Sequence, residues 1–125
     1  MSVVAVIDDD EQLRTAVADL IASYGIESRS FASSKQYLDS GVLARTDCIV
    51  TDVQMSEMNG LELHKTLLRR GYRMPVIFIT AFFDEQIQRE AEALGALRLL
   101  RKPFQAVALM TCINDALARG RSPGD

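Results

Sequence analysis

Apolar positions in this chain come in short unbroken runs that alternate with longer stretches of helical periodicity. Val3–Ile7 is a continuous apolar run rich in β-branched residues, as expected of a strand covered on both faces. Leu13, Val17, Leu20, Ile21 and Tyr24 then recur at helical spacing and predict an amphipathic helix ending at Gly25. Residues 26–31 alternate weakly and predict an outer strand. Ser33 or Ser34 can cap a short helix through Leu38, closed by Gly41. Residues 48–50 predict a third strand with Asp52 at its carboxyl end, followed by a loop over residues 53–59. Leu61, Leu63, Leu67 and Leu68 mark a third helix stopped by Gly71, and residues 75–79 form the most apolar strand. Asp84 can cap a fourth helix with Ile87, Ala91 and Leu94 on its inner stripe and Gly95 after it. Residues 97–100 predict a short fifth strand. Pro103 is expected to open the last helix, along which Val107, Met110, Ile113 and Leu117 run.

Strands alternating with helices imply βαβ units, a parallel sheet and helices on both faces. In open sheets of this kind the functional crevice lies beyond the carboxyl ends of the strands. That rule selects Asp8, Asp9 and Asp10 after the first strand, Asp52 after the third, Thr80 after the fourth and Lys102 after the fifth.

Composition narrows the class. A chain of 125 residues suits one domain, and 48% hydrophobic with 25% charged residues reads as soluble and globular. The net charge of −3 and the lack of a Lys/Arg run argue against direct nucleic-acid contact. The longest apolar run, residues 76–83, is too short to span a bilayer, and residues 1–7 lack the features of a signal peptide, so the compartment implied is the cytoplasm. Cys48 and Cys112 fall in apolar segments and are expected to be buried free thiols. With His64 the only histidine, a zinc site or a Ser–His triad has no material; His64 itself, beside Lys65, reads as an inert residue on a solvent face. No Walker-type or GxGxxG pattern occurs.

The selected residues make a coherent chemistry. Converging carboxylates repel one another, and Mg²⁺, a hard divalent cation, relieves that repulsion. An ionised aspartate can attack phosphorus to give an aspartyl phosphate. The new phosphoryl group then needs a cation and a hydroxyl donor, which Lys102 and Thr80 supply. Taken singly these residues have plainer readings: a helix N-cap cluster for Asp8 to Asp10, a salt-bridge partner for Lys102, a strand end for Thr80.

The blocks VVAVIDDDEQLR, CIVTDVQMSEMNGLEL, VIFITA and LGALRLLRKPF together resemble the response-regulator receiver domains of two-component systems, with a FixJ-like flavour in the second block. The resemblance implies a flavodoxin-like (βα)5 doubly wound sheet of strand order 2-1-3-4-5. It implies Asp52 as phosphoacceptor, with Lys102 and Thr80 completing the catalytic set. Asp8, Asp9, Asp52 and the backbone carbonyl of Gln54 would hold Mg²⁺, leaving Asp10 to start the helix. Ala81 and Phe82 would line the phosphate environment, and the Lys102–Pro103 peptide would be cis. The family implies no enzyme in the ordinary sense, only self-catalysed phosphoryl transfer and autodephosphorylation. A sensor histidine kinase would be the donor, and the fourth helix, fifth strand and fifth helix would form an output and homodimer surface. Residues 1–118 are expected to form the receiver. Residues 119–125 (RGRSPGD) read as a tail or the start of a linker to an effector domain that regulates transcription.

Three positions depart from the family pattern. Ser56 replaces the usual proline, which predicts a more mobile loop. Leu99 stands where an aromatic switch residue is usual, so it would toggle without a polar tip. Phe82 is bulky where many receivers are polar, and is expected to obstruct the water that would hydrolyse the acyl phosphate. In the last helix, Leu109 falls off the expected stripe and is either core or part of an exposed partner patch. Two other readings stand beside the receiver. One is an aspartate-nucleophile phosphatase of the haloacid dehalogenase type, which needs a second acid where this chain has Gln54. The other is a stand-alone or degenerate receiver acting as a protein-binding module.

Overall fold

The computed structural model describes residues 2–120. Five parallel strands form one sheet in the order β2-β1-β3-β4-β5, as the family resemblance implies. They are β1 (Val3–Ile7), β2 (Glu27–Phe31), β3 (Cys48–Asp52), β4 (Val76–Thr80) and β5 (Arg98–Arg101). Between them run α1 (Glu11–Ser23), α2 (Ser34–Leu38), α3 (Gly60–Arg69) and α4 (Glu85–Ala93), with α5 (Ala106–Gly120) last. A single 3-10 turn at Leu43–Arg45 leads into β3.

Strand alternation divides the apolar residues between two cores. Val4, Val6, Val50, Ile77 and Ile79 face one side, where Val17 and Ile21 of α1 and Leu109, Met110 and Ile113 of α5 cover them. Ala5, Ile7, Ile49 and Phe78 face the other side, against Tyr37, Leu63, Leu67 and Ala91. Burying each aliphatic side chain stabilises the fold by about 1.5–3 kcal/mol. The helices start where short polar side chains can satisfy free amides. Asp10 accepts from Gln12 and Leu13, Ser33 from Gln36, and Asp84 from Ile87. At α3, Asn59 and Glu62 form a reciprocal capping box. Among the described residues no helix is long and apolar enough to cross a membrane.

Several expectations need correction. Pro103 does not open the last helix: the Lys102–Pro103 peptide is cis, as expected, and α5 begins only at Ala106. At 3.6 residues per turn from that start, the stripe facing the sheet runs through Leu109, Ile113 and Ala116. Leu109 is therefore fully buried, whereas Val107 lies on the far side and is 67% exposed. His64 is not on a solvent face but 5% exposed, because its spacing from Gly60 and Leu67 places it on the buried side of α3. Tyr24 follows α1 as its C-cap and is exposed rather than part of the inner stripe. Helix α5 continues through Arg119 to Gly120, and the rest of the expected tail, residues 121–125, lies outside the described residues. Cys48 and Cys112 are buried free thiols, as expected; burial pushes the Cys48 thiol up to about 12.

Candidate functional site

Register brings the chemistry to one edge of the sheet. Ile7 of β1 pairs with Thr51, so Asp8 and Asp52 emerge beside each other at adjacent strand ends. Thr80 pairs with Arg101, which sets Lys102 next to both; its amide donates to the Thr80 carbonyl at 2.8 Å. Each side chain therefore leaves the sheet at the carboxyl end of a strand.

Asp8 and Asp52 are buried, and Asp9 is exposed beside them. One carboxylate oxygen from each of the three lies within 4.8 Å of the other two. The Lys102 ammonium bridges the buried pair, donating to Asp8 Oδ2 at 3.3 Å and to Asp52 Oδ2 at 3.1 Å. Its side chain is only 19% exposed. Burial pushes the Asp52 carboxyl up and neighbouring Asp8 adds to this; Lys102 and the Gln54 amide pull it back, leaving a net rise. For Lys102, burial acts to lower the ammonium, but the carboxylates of Asp52 and Asp8 outweigh it and the net shift is upward.

The donor set suits a hard cation: carboxylates only, two of them buried and one open to water, with no thiolate or imidazole among them. Asp10 is kept out of this cluster by its work as the α1 cap. Its own amide donates to Asp8 Oδ1 at 2.8 Å, which fixes the Asp8 carboxylate.

Thr80 is fully buried and its hydroxyl is engaged, donating to Gln54 Oε1 at 2.6 Å. The amide of Phe82 donates to the same hydroxyl oxygen at 3.1 Å. Ala81 and Phe82 are exposed at the start of the following loop, Phe82 by 72%. Leu99 is not gathered into this group. It pairs with Phe78 on the edge strand β5 and is half-buried against the second core, facing the cleft between α4 and β5 with Phe83 and Ala91.

Sequence reasoning passed over three contributors. Gly60 opens α3 directly beneath β3; a Cβ there would collide with the backbone carbonyl oxygen of Asp52. Only the folded backbone shows this: a glycine in a helical first turn gives no sign in the sequence of what stands against it. Arg14 reaches back from α1, its Nη1 donating to the Asp8 carbonyl at 2.8 Å. The Gln54 side chain, as distinct from its backbone, carried no signal, because it meets Thr80 at the end of β4, 26 residues further along the chain, only after folding.

Known proteins resemble this chain in sequence and fold. Residues 4–114 match the family described as response regulator receiver domain. The chain is 40% identical over 121 residues to the transcriptional regulatory protein FixJ of Azorhizobium caulinodans, covering 97% of this chain and 57% of that protein. It is 36% identical over 124 residues to the transcriptional regulatory protein TdiR of Thauera aromatica, covering 99% and 55%. The chain thus spans about half the length of the curated relatives it matches. Among solved structures it resembles a response regulator receiver protein from Burkholderia phymatum, with 37% identity, a TM-score of 0.81, and 94% and 96% of the two chains covered. With the strand order, the gathered carboxylates and the bridging lysine already in place, the chain belongs to the response-regulator receiver-domain family of two-component signal transduction.

Proposed function

We propose that this receiver is phosphorylated on Asp52 in an Mg²⁺-dependent reaction and thereby switches a partner-binding or dimerisation surface. The observation that carries the reading is the Lys102 ammonium held between the carboxylates of Asp8 and Asp52. A largely covered cation shared by two buried acids is costly for stability alone, and gains its sense if a phosphoryl group joins them.

In this reading a carboxylate oxygen of Asp52 attacks the phosphorus of a phosphodonor. An O–P bond forms to give the acyl phosphate, and the donor's bond to phosphorus breaks with its electron pair leaving on the donor. Asp8, Asp9, Asp52 and the Gln54 backbone carbonyl would hold Mg²⁺, which when bound neutralises charge on the phosphoryl oxygens. Lys102 exchanges its ion pair with Asp52 for one with the phosphoryl group. Thr80 turns its hydroxyl towards the same group, and Ala81 leaves room beside it. Phe82 shields the acyl phosphate from water, and Leu99 takes the place of the usual aromatic toggle.

The donor is a sensor histidine kinase, and the chain acts in the cytoplasm. Residues 1–118 form the receiver; an effector domain that regulates transcription would account for the remaining half of the relatives' length. A phosphatase of the haloacid dehalogenase type is disfavoured, because Gln54 offers an amide where that chemistry needs an acid. Incubation with acetyl phosphate and Mg²⁺, read by intact mass, tests the proposal. The native chain should gain one phosphoryl group that Asp52→Asn and a chelator both abolish. An equal gain by Asp52→Asn would overturn it.

A further inference from the structure

We propose that the Gln54 side chain is a positioning residue that holds the Thr80 hydroxyl in the unphosphorylated protein, so that a phosphoryl group on Asp52 must win that hydroxyl from it. The inference rests on the reading of Asp52 as phosphoacceptor.

A threonine hydroxyl has one proton to give. Here that proton goes to Gln54 Oε1 at 2.6 Å, a short bond, while the competing acceptor, the Phe82 carbonyl, stands at 3.2 Å. The hydroxyl oxygen meanwhile accepts the Phe82 amide at 3.1 Å. Thr80 is thus satisfied on its donor and acceptor sides with no phosphoryl group present.

Gln54 also touches Asp52. Its backbone amide donates to Asp52 Oδ1 at 3.2 Å, while Lys102 occupies Oδ2. One residue therefore reads the phosphoacceptor through its backbone and the switch hydroxyl through its side chain. Phosphorylation disturbs the first contact and competes for the second. Gln54 is half-exposed, so its released amide returns to water at little cost, which keeps the exchange reversible. A ligand that must break an existing bond to reach its bound state has its apparent affinity lowered by that bond's worth. For one neutral hydrogen bond this is roughly three- to tenfold.

The test uses the full 125-residue chain and beryllofluoride with Mg²⁺, a mimic of the phosphoryl group on a carboxylate, read by isothermal titration. Gln54→Leu keeps the bulk and removes the acceptor. It should bind beryllofluoride roughly three- to tenfold more tightly than the native chain. In a Thr80→Val background the same substitution should change nothing, and in Thr80→Ser, which keeps the hydroxyl, the gain should return. A gain of equal size with and without the hydroxyl would mean that Gln54 acts through bulk alone, and would overturn the proposal. No change or a loss of affinity in Gln54→Leu overturns it as well. If the native chain fails to bind beryllofluoride, the reading of Asp52 falls and takes this inference with it; if it binds and Gln54→Leu binds no better, only this inference falls.

Discussion

Phe82 meets Thr80 through its backbone amide, while its ring stands free at the edge of the site. A bulky apolar group there hinders the approach of an ordered water, whereas a carboxylate would attract one and accept its proton. Phe82→Glu should therefore shorten the half-life of the phosphorylated protein several-fold, followed by loss of the phosphoryl mass with time; an unchanged half-life removes Phe82 from that role. Gly60 gives a sharper test at the same scale. By helix propensity alone, Gly60→Ala should stabilise the protein by about 1 kcal/mol. The carbonyl oxygen of Asp52 leaves no room for the methyl group, so the expected outcome has the opposite sign: a loss of about 1–3 kcal/mol in urea unfolding. Because the displaced carbonyl belongs to the residue proposed as phosphoacceptor, labelling by acetyl phosphate should also slow by roughly ten- to a hundredfold.

Helix α3 shows what an element's neighbours do to one of its residues. His64 lies one turn after Gly60, its ring 5.8 Å from that of Phe78 between centroids, and its Nδ1 has no hydrogen-bond partner. Burial lowers its pKa from the ordinary 6.5, so the folded protein favours the neutral ring. Between the folded and unfolded pKa values the unfolded chain binds more protons, so stability rises with pH there. The contribution is whole above the unfolded value and is lost as the pH drops through the folded one. Urea midpoints measured from about pH 7.5 to 5.5 should decline more steeply for the native chain than for His64→Leu. Parallel curves would show that His64 is not the titrating group.

At the scale of the molecule, β5 is an edge strand next to α4, and the two carry opposite charge. Arg98 and Arg101 are exposed on β5, with Arg101 lying 4.5 Å from the centre of the Phe83 ring. Glu85 and Glu92 are exposed on α4. A two-fold axis across this face would set the arginines of one copy against the glutamates of another, the self-complementary pattern of a symmetric dimer. Dimerisation through α4, β5 and α5 is accordingly expected on phosphorylation. Sedimentation with and without beryllofluoride should show monomer passing to dimer, and Arg98→Glu with Arg101→Glu should prevent it. A dimer indifferent to these charges would place the interface elsewhere.

What the sequence determined by itself was everything that depends on local periodicity and on strand ends. Runs such as Val3–Ile7 and the stripe Val17–Ile21 specify element type through spacing alone. Alternating elements specify a parallel sheet, and a parallel sheet presents its strand ends on one edge. Asp8, Asp52, Thr80 and Lys102 were legible for that reason. Tertiary structure alone decided which helix face turns inward, because polarity at one position says little once its neighbours at three and four residues are buried. That is why His64 went inside, Val107 went outside, and Leu109 joined the core. It alone decided, too, what meets across a loop. The Gly60 contact with Asp52 and the Gln54 bond to Thr80 join segments with no shared period, so they exist only where the folded backbone brings them within hydrogen-bond or van der Waals reach.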